Sequence, residues 1–205
     1  MTDESNLQLS DDVSREASVE RTRARSIAFV GAIPPALARR EDALPTTIAT
    51  MNASPRSKLR AINAVIAEIS DVAKPFVACK QGCSSCCRMN VTISQVEANE
   101  ISQTTGRRCQ TLAQQTTRET NNFVGVACPF LVDDACSIYD ARPFVCRQHH
   151  SFDSTAYWCH PERLHTIKVQ LVEFGGARLA YDSVVRGVRG AMLADIRDFF
   201  PDEAS

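Results

Sequence analysis

The sequence predicts a mainly α-helical chain with one small β-hairpin, folded around an irregular, metal-stapled cysteine-cluster core. Three observations predict it. Cys79-Lys-Gln-Gly-Cys83-Ser-Ser-Cys86-Cys87 places four thiols within nine residues. Apolar residues recur at helical spacing before and after that stretch. Two apolar runs, 123–132 and 136–139, flank residues suited to a turn.

Taken in order, residues 1–53 read as a disordered or weakly ordered tail. Ser, Asp, Glu, Arg and Thr dominate there, and no apolar period is sustained. Arg21, Arg23 and Arg25 read as a solvated face, and a short helix over 36–43 is allowed. Residues 54–200 read as a cysteine-cluster metal-binding domain that includes C-terminal helices. Ser54 suits an N-cap and Pro55 the first helical position. Leu59, Ile62, Val65, Ile66 and Ile69 then follow at helical spacing until Pro75 ends the helix. Residues 89–93 alternate like a strand. Ser94 and Glu97 form a capping box for a helix that stops at Gly106. Residues 107–122 are polar and read as loop or weak helix. The hairpin sets Cys128-Pro-Phe-Leu131 against Cys136-Ser-Ile-Tyr139, with Asp133-Asp134 turning. Asp140 is expected to cap a short segment reaching Cys146. From Pro161 the chain reads as helical to its end. Leu164, Ile167, Leu171 and Phe174 make one stripe, Gly175-Gly176 marks a break, and Leu179, Val184, Val188, Met192 and Ile196 make a second.

Composition excludes several function classes. The 205 residues carry a formal net charge of −1, so no basic field calls for a nucleic acid partner. No apolar run approaches the ~20 residues of a membrane span, so no membrane partner is expected. The first residues lack the basic and then apolar pattern of a secretory signal, which points to a cytoplasmic location. In that compartment cysteine clusters are metal sites more often than disulfides, and the odd count of nine fits poorly with complete pairing.

The thiols fall into two groups in sequence: Cys79, Cys83, Cys86 and Cys87, then Cys128, Cys136 and Cys146 with Cys159 further on. Zinc takes four thiolates at ~2.3 Å, and an iron–sulfur cluster also commonly takes four. Cys83 and Cys86 are a good chelating pair for either. The adjacent Cys86 and Cys87 are less easily accommodated, because neighbouring side chains diverge. A buried site of four thiolates is anionic, and Arg88, Arg142 and Arg147 lie near cluster cysteines in sequence. His149, His150, His160 and His165 read as satisfied surface or core histidines, and Cys109 as a bystander. Cys79-x3-Cys83-x2-Cys86 also has the spacing of a radical-SAM signature. Ser85, where that family carries an aromatic, and the lack of strand–helix repeats argue against it.

These motifs, together with Arg142-Pro143 and Cys146-Arg147, resemble the YkgJ-type cysteine-cluster family, whose members are described as zinc- or iron-chelating. Flagellin lysine N-methylase carries a similar cluster. The resemblance covers about residues 75–160. It implies metal binding, with Cys79, Cys83, Cys86, Cys87, Cys128, Cys136 and Cys146 as ligands; Cys159 is an eighth candidate on position. An iron–sulfur cluster of the 4Fe-4S type is favoured over zinc, because the Cys pairs are untidy. Its role would be structural, electron-transfer or sensing. The alternatives are a cluster-dependent protein-modifying enzyme of the lysine N-methylase kind and a zinc-stapled module that binds a protein partner. No residue is marked as catalytic.

Overall fold

The computed structural model describes residues 14–112, 122–163, 166–167, 172–190 and 192–201. The helix predicted at Pro55 is its spine. Ser54 Oγ accepts the Ser57 amide at 3.2 Å, and all five residues of the expected stripe are buried. The helices are α1 (Arg15–Ala32), α2 (Pro35–Asp42), α3 (Leu44–Thr50), α4 (Pro55–Ala73), α5 (Gln95–Thr105), α6 (Phe144–Gln148), α7 (Gly175–Arg186) and α8 (Ile196–Phe199). Two small antiparallel sheets complete the structure. One pairs β1 (Thr92–Ser94) with β4 (Leu193–Asp195); the other pairs β2 (Leu131–Val132) with β3 (Ala135–Cys136). The chain is thus mainly helical.

The first correction is at the N-terminus. Residues from Arg15 onward, expected to be a weak tail, form three helices whose Phe29, Leu37, Leu44 and Ile48 join Ile62, Ile66 and Phe144 in one core. The buried face of α1 is Ser18, Thr22, Ser26 and Phe29, so a search for apolar period passes over it. Of the three arginines read as solvated, Arg23 is exposed as expected, whereas Arg21 and Arg25 instead dock α1. Arg21 Nε donates to the buried Asp153 at 2.6 Å, and Arg25 Nε donates to the Phe76 carbonyl at 2.9 Å. Trp158 Nε1 adds a bond to Ser18 Oγ at 2.8 Å. This helix is therefore fixed to the segments on both sides of the cysteine region.

A second core gathers Val91, Ile93, Ile101, Phe130, Ile138, Ile196, Phe199 and Phe200. Here the capping box forms as read: Glu97 and Ser94 bond reciprocally, and Gly106 ends α5 at φ 76°. The hairpin is shorter than expected, with Leu131 opposite Cys136. Asp133 and Asp134 both adopt left-handed backbone, at φ 48° and 53°. That conformation gives a two-residue turn the twist its strands need, and Asp is among the few residues that tolerate it. Asp140 does not cap α6. The Phe144 amide is bonded at 2.8 Å by Glu97, from α5.

The C-terminal region departs most. Leu164, Leu171 and His165 lie outside the described residues. The described residues between Pro161 and Phe174 form turns and irregular backbone, and the next described helix begins at Gly175. Leu179 is 64% exposed, because α7 buries Ala177, Ala180, Tyr181, Val184 and Val185 instead. Residues 193–195 are a strand, since Asp195 opens a new capping box with Asp198 and β1 offers an open edge.

Gly175-Gly176 opens a helix rather than breaking one. A Cβ on Gly176 would sit 2.1 Å from the Glu41 carbonyl oxygen, while Glu41 Oε1 accepts the Ala177 amide at 2.7 Å. Gly176→Ala is therefore expected to cost about 1–3 kcal/mol. A urea midpoint that stays in place would contradict this close approach.

Candidate metal centre

Three chain segments meet at the cysteines. The first runs from Cys79 to Arg88. Gly82 bends it at φ 88°, and Ser85–Arg88 then makes a 3₁₀ turn, with the Cys87 amide bonded to the Ser84 carbonyl at 2.9 Å. The second is the hairpin segment, joined to the first where the Cys128 amide donates to the Cys87 carbonyl at 2.7 Å. The third is α6, which carries Cys146. The residues after α6 hold Cys79: the Ala78 amide bonds the Ser151 carbonyl at 2.8 Å, and the Ser151 amide donates to Cys79 Sγ at 3.2 Å.

Cys79, Cys83, Cys86, Cys87, Cys128, Cys136 and Cys146 all line one cavity of about 60 Å³. Cys159 is outside its lining, although Cys79, Cys83 and Cys86 are its electrostatic neighbours. Cys109 lies elsewhere, 3.4 Å from Asn99 Oδ1. The sulfurs ring the cavity without closing on a point. Among the described residues, no three Cys, His, Asp or Glu side chains form an ion-holding group. No disulfide links any cysteine.

The grouping in space differs from the grouping in sequence. The electrostatics of the Cys87 thiol link it to Cys136 as well as to its neighbour Cys86. This link lowers Cys86 to about 7 and Cys136 to about 6, while the Cys87 pKa rises. The Arg142 charge favours both of those thiolates further. Burial raises Cys79 and Cys128 to about 11 and lifts Cys146 and Cys159 above the usual thiol range. The thiolate is the form that binds metal, so loading this site has to displace protons.

Of the other candidates, Arg142 lines the cavity and stacks on Tyr139, with Cζ 3.6 Å from the ring centroid. Arg147 Nε holds the Arg142 carbonyl at 2.6 Å. Arg88 faces Asp134 at 3.5 Å. His150 is a core residue against Phe152 and Phe174, and burial lowers it to about 4. His160 is half-exposed, 3.7 Å from Glu162. His149 is different: its residue lines the cysteine cavity.

Sequence reasoning missed the most heavily bonded side chain near the site. Arg197 is 8% exposed, pairs with Asp195 at 2.8 Å, and donates to the carbonyls of Val126, Ala127, Met89 and Cys87. It ties the first cysteine segment to the approach to Cys128, and its charge favours the Cys128 thiolate. The only signal was the Asp195-x2-Asp198 capping pattern.

A comparison with family models finds a match over the cysteine region. Residues 78–162 match the CxxCxxCC family, described as a "putative zinc- or iron-chelating domain". This segment is a CxxCxxCC domain. Within it the first gap is three residues, Cys79 to Cys83, rather than the two of the family name. The domain contains all seven cavity-lining cysteines and Cys159, and its description supports binding of zinc or iron in general. No curated protein and no solved structure matches the chain. Among the described residues no helix is long and apolar enough to cross a membrane. The donor set fits a thiophilic metal: soft sulfur ligands, with Arg142 and Arg197 supplying positive charge beside them.

Proposed function

We propose that the CxxCxxCC domain holds an iron–sulfur cluster of the four-iron type, serving a structural, electron-transfer or sensing role in the cytoplasm. The observation that carries this reading is the single cavity lined by seven cysteines from three segments. A zinc ion and a four-iron cluster would each use four of these thiolates; the cluster is preferred because a closed zinc tetrahedron is usually built from two tidy Cys-x2-Cys pairs, and here only Cys83 and Cys86 have that spacing. The bond from the Cys128 amide to the Cys87 carbonyl, which joins the two sequence groups at 2.7 Å, supports one shared centre. Cys79, Cys83, Cys86, Cys87, Cys128, Cys136 and Cys146 are the proposed ligand pool, with Cys159 in reserve beside Cys79 and Cys83. When bound, such a group supplies redox chemistry and a covalent link between the three segments; the protein orients the sulfurs and shields them.

Cys86→Ser and Cys87→Ser, made separately, test the ligand set. Each is expected to weaken metal retention by roughly tenfold or more, as a lost ligand costs at least what a lost supporting group does. Full retention by both variants would remove the adjacent pair from the pool.

Metal removal gives a second prediction. Binding energy at a structural site is folding energy. Anaerobic chelation is therefore expected to abolish amide protection across 79–159. The helices α1–α4 should keep theirs, because the core around Phe29 and Ile62 contains no cysteine. Hydrogen exchange reads both regions, and unchanged protection across 79–159 in a verified metal-free chain would count against the staple.

A further inference from the structure

Against the cysteine cavity lies a larger one of about 580 Å³, within the range of small-molecule sites. The two share Cys79, Lys80, Tyr139, Arg142 and His149 in their walls. The charge balance of the larger cavity is positive. Lys74 is answered by Asp71 at 2.6 Å, which leaves Lys80, Arg142 and Arg147 against Asp140.

The two guanidiniums are held in place by backbone. Arg142 Nε donates to the Tyr139 carbonyl at 2.9 Å while its plane lies on the Tyr139 ring. Arg147 donates to the Arg142 carbonyl at 2.6 Å and to the Asp140 carbonyl. These bonds use the Nε of each and one Nη of Arg147. The Nη groups of Arg142 have no hydrogen-bond partner among the described residues. Both guanidiniums belong to half-buried residues in the same cavity wall. Two neighbouring, partly desolvated cations of like sign are costly unless an anion answers them. Arg142 stands in the wall between the cavities, so the cysteines lie on one side of it only. Guanidinium forks match carboxylate and phosphate oxygens in pairs, and an anion set between them would use the free Nη donors.

We propose that this cavity binds a small organic oxyanion, a molecule bearing a carboxylate or phosphate group, with that group at Arg142 and Arg147 and its body toward Cys79 and His149. The ligand would then lie against the wall of the cysteine site. The proposal does not depend on which metal, if any, occupies that site, because neither the cavity nor its cations are built from metal.

The test uses the full chain as purified, with metal content measured before and after. Sodium phosphate and sodium succinate are titrated against sodium chloride at matched ionic strength, followed by calorimetry and by the NMR signals of the arginine Nε–H groups. Saturable binding of either probe, with the Arg142 and Arg147 signals moving, is expected. Phosphate alone would place a phosphoryl compound in the site, and succinate alone a carboxylate. Arg147→Gln is expected to weaken the binding roughly tenfold or more, the effect of losing one charged hydrogen-bonding partner. Lys80→Gln, which removes none of the backbone bonds, is expected to weaken it about threefold through charge alone and covers the case of a poorly folded Arg147 variant. A response identical to chloride, or affinity unchanged in both variants, would overturn the proposal. A chain that carries no metal yet binds the probe would sink the cluster reading and leave this one standing.

Discussion

Replacing Arg197 by methionine is expected to remove about 3–5 kcal/mol of folding stability, the usual cost of stranding one partner of a buried ion pair. The Arg197 and Asp195 side chains are only 7% and 5% exposed. Without the guanidinium, the Asp195 carboxylate keeps the Val91 and Arg197 amides as donors but loses its countercharge. Four backbone carbonyls around the cysteine segments lose the guanidinium donor at the same time, although that of Cys87 keeps the Cys128 amide. The site should loosen with the fold, because Arg197 holds the Cys87 carbonyl while Cys87 holds the Cys128 amide. Asp195→Asn added to Arg197→Met should recover part of the loss, since the stranded charge is gone. Urea unfolding of the two variants checks both statements. A loss below about 1 kcal/mol in the single variant would mean that the pair behaves like a surface salt bridge.

Glu97→Ala is expected to cost about 3 kcal/mol or more, because it leaves several buried donors unsatisfied at once. The Glu97 carboxylate accepts from the Ser94 amide and hydroxyl at 2.9 Å, from the Phe144 amide at 2.8 Å and from the Tyr181 hydroxyl at 2.6 Å. One side chain thus joins α5, the start of α6 and the middle of α7. Burial, together with the neighbouring Glu97 charge, pushes the Tyr181 pKa upward and keeps the phenol a donor. Tyr181→Phe removes one of the four bonds and keeps the stacking on Phe144, so it should cost only about 1–2 kcal/mol. Because Phe144 begins the helix that carries Cys146, Glu97→Ala should also reduce metal retention, whereas Tyr181→Phe should not. Equal losses of metal in both would separate Glu97 from the positioning of Cys146.

The parts of the fold that the sequence exposed are those set by local chemistry. Leu59 to Ile69 repeat at the helical period, Ser94 and Glu97 carry a capping box, and Asp133-Asp134 can adopt the left-handed turn. The hidden parts depend on partners far along the chain. Helix α1 buries Ser18, Thr22 and Ser26, whose value lies in packing close and bonding Arg21 and Trp158. Strand β4 is three residues long and meets β1 about a hundred positions earlier in the chain. Gly176 is demanded by the Glu41 carbonyl, which no local pattern announces.

The site divides along the same line. Clustered cysteines marked the region, and the family match agrees with that region. The grouping of thiols was not legible, because it follows from the Cys128 amide meeting the Cys87 carbonyl and from Ser151 reaching back to Cys79. Nor could spacing assign a role to Arg197, which lies beyond the matched segment and returns to it through α8.

The central claim is that the seven-cysteine cavity holds an iron–sulfur cluster. Its most direct measurement is anaerobic purification of the full chain, with iron, acid-labile sulfide and zinc quantified and an absorption spectrum recorded. Iron and sulfide in equal amounts, with broad visible absorption that Cys86→Ser diminishes, is the predicted result. Stoichiometric zinc without iron or sulfide, in a colourless protein, would contradict it.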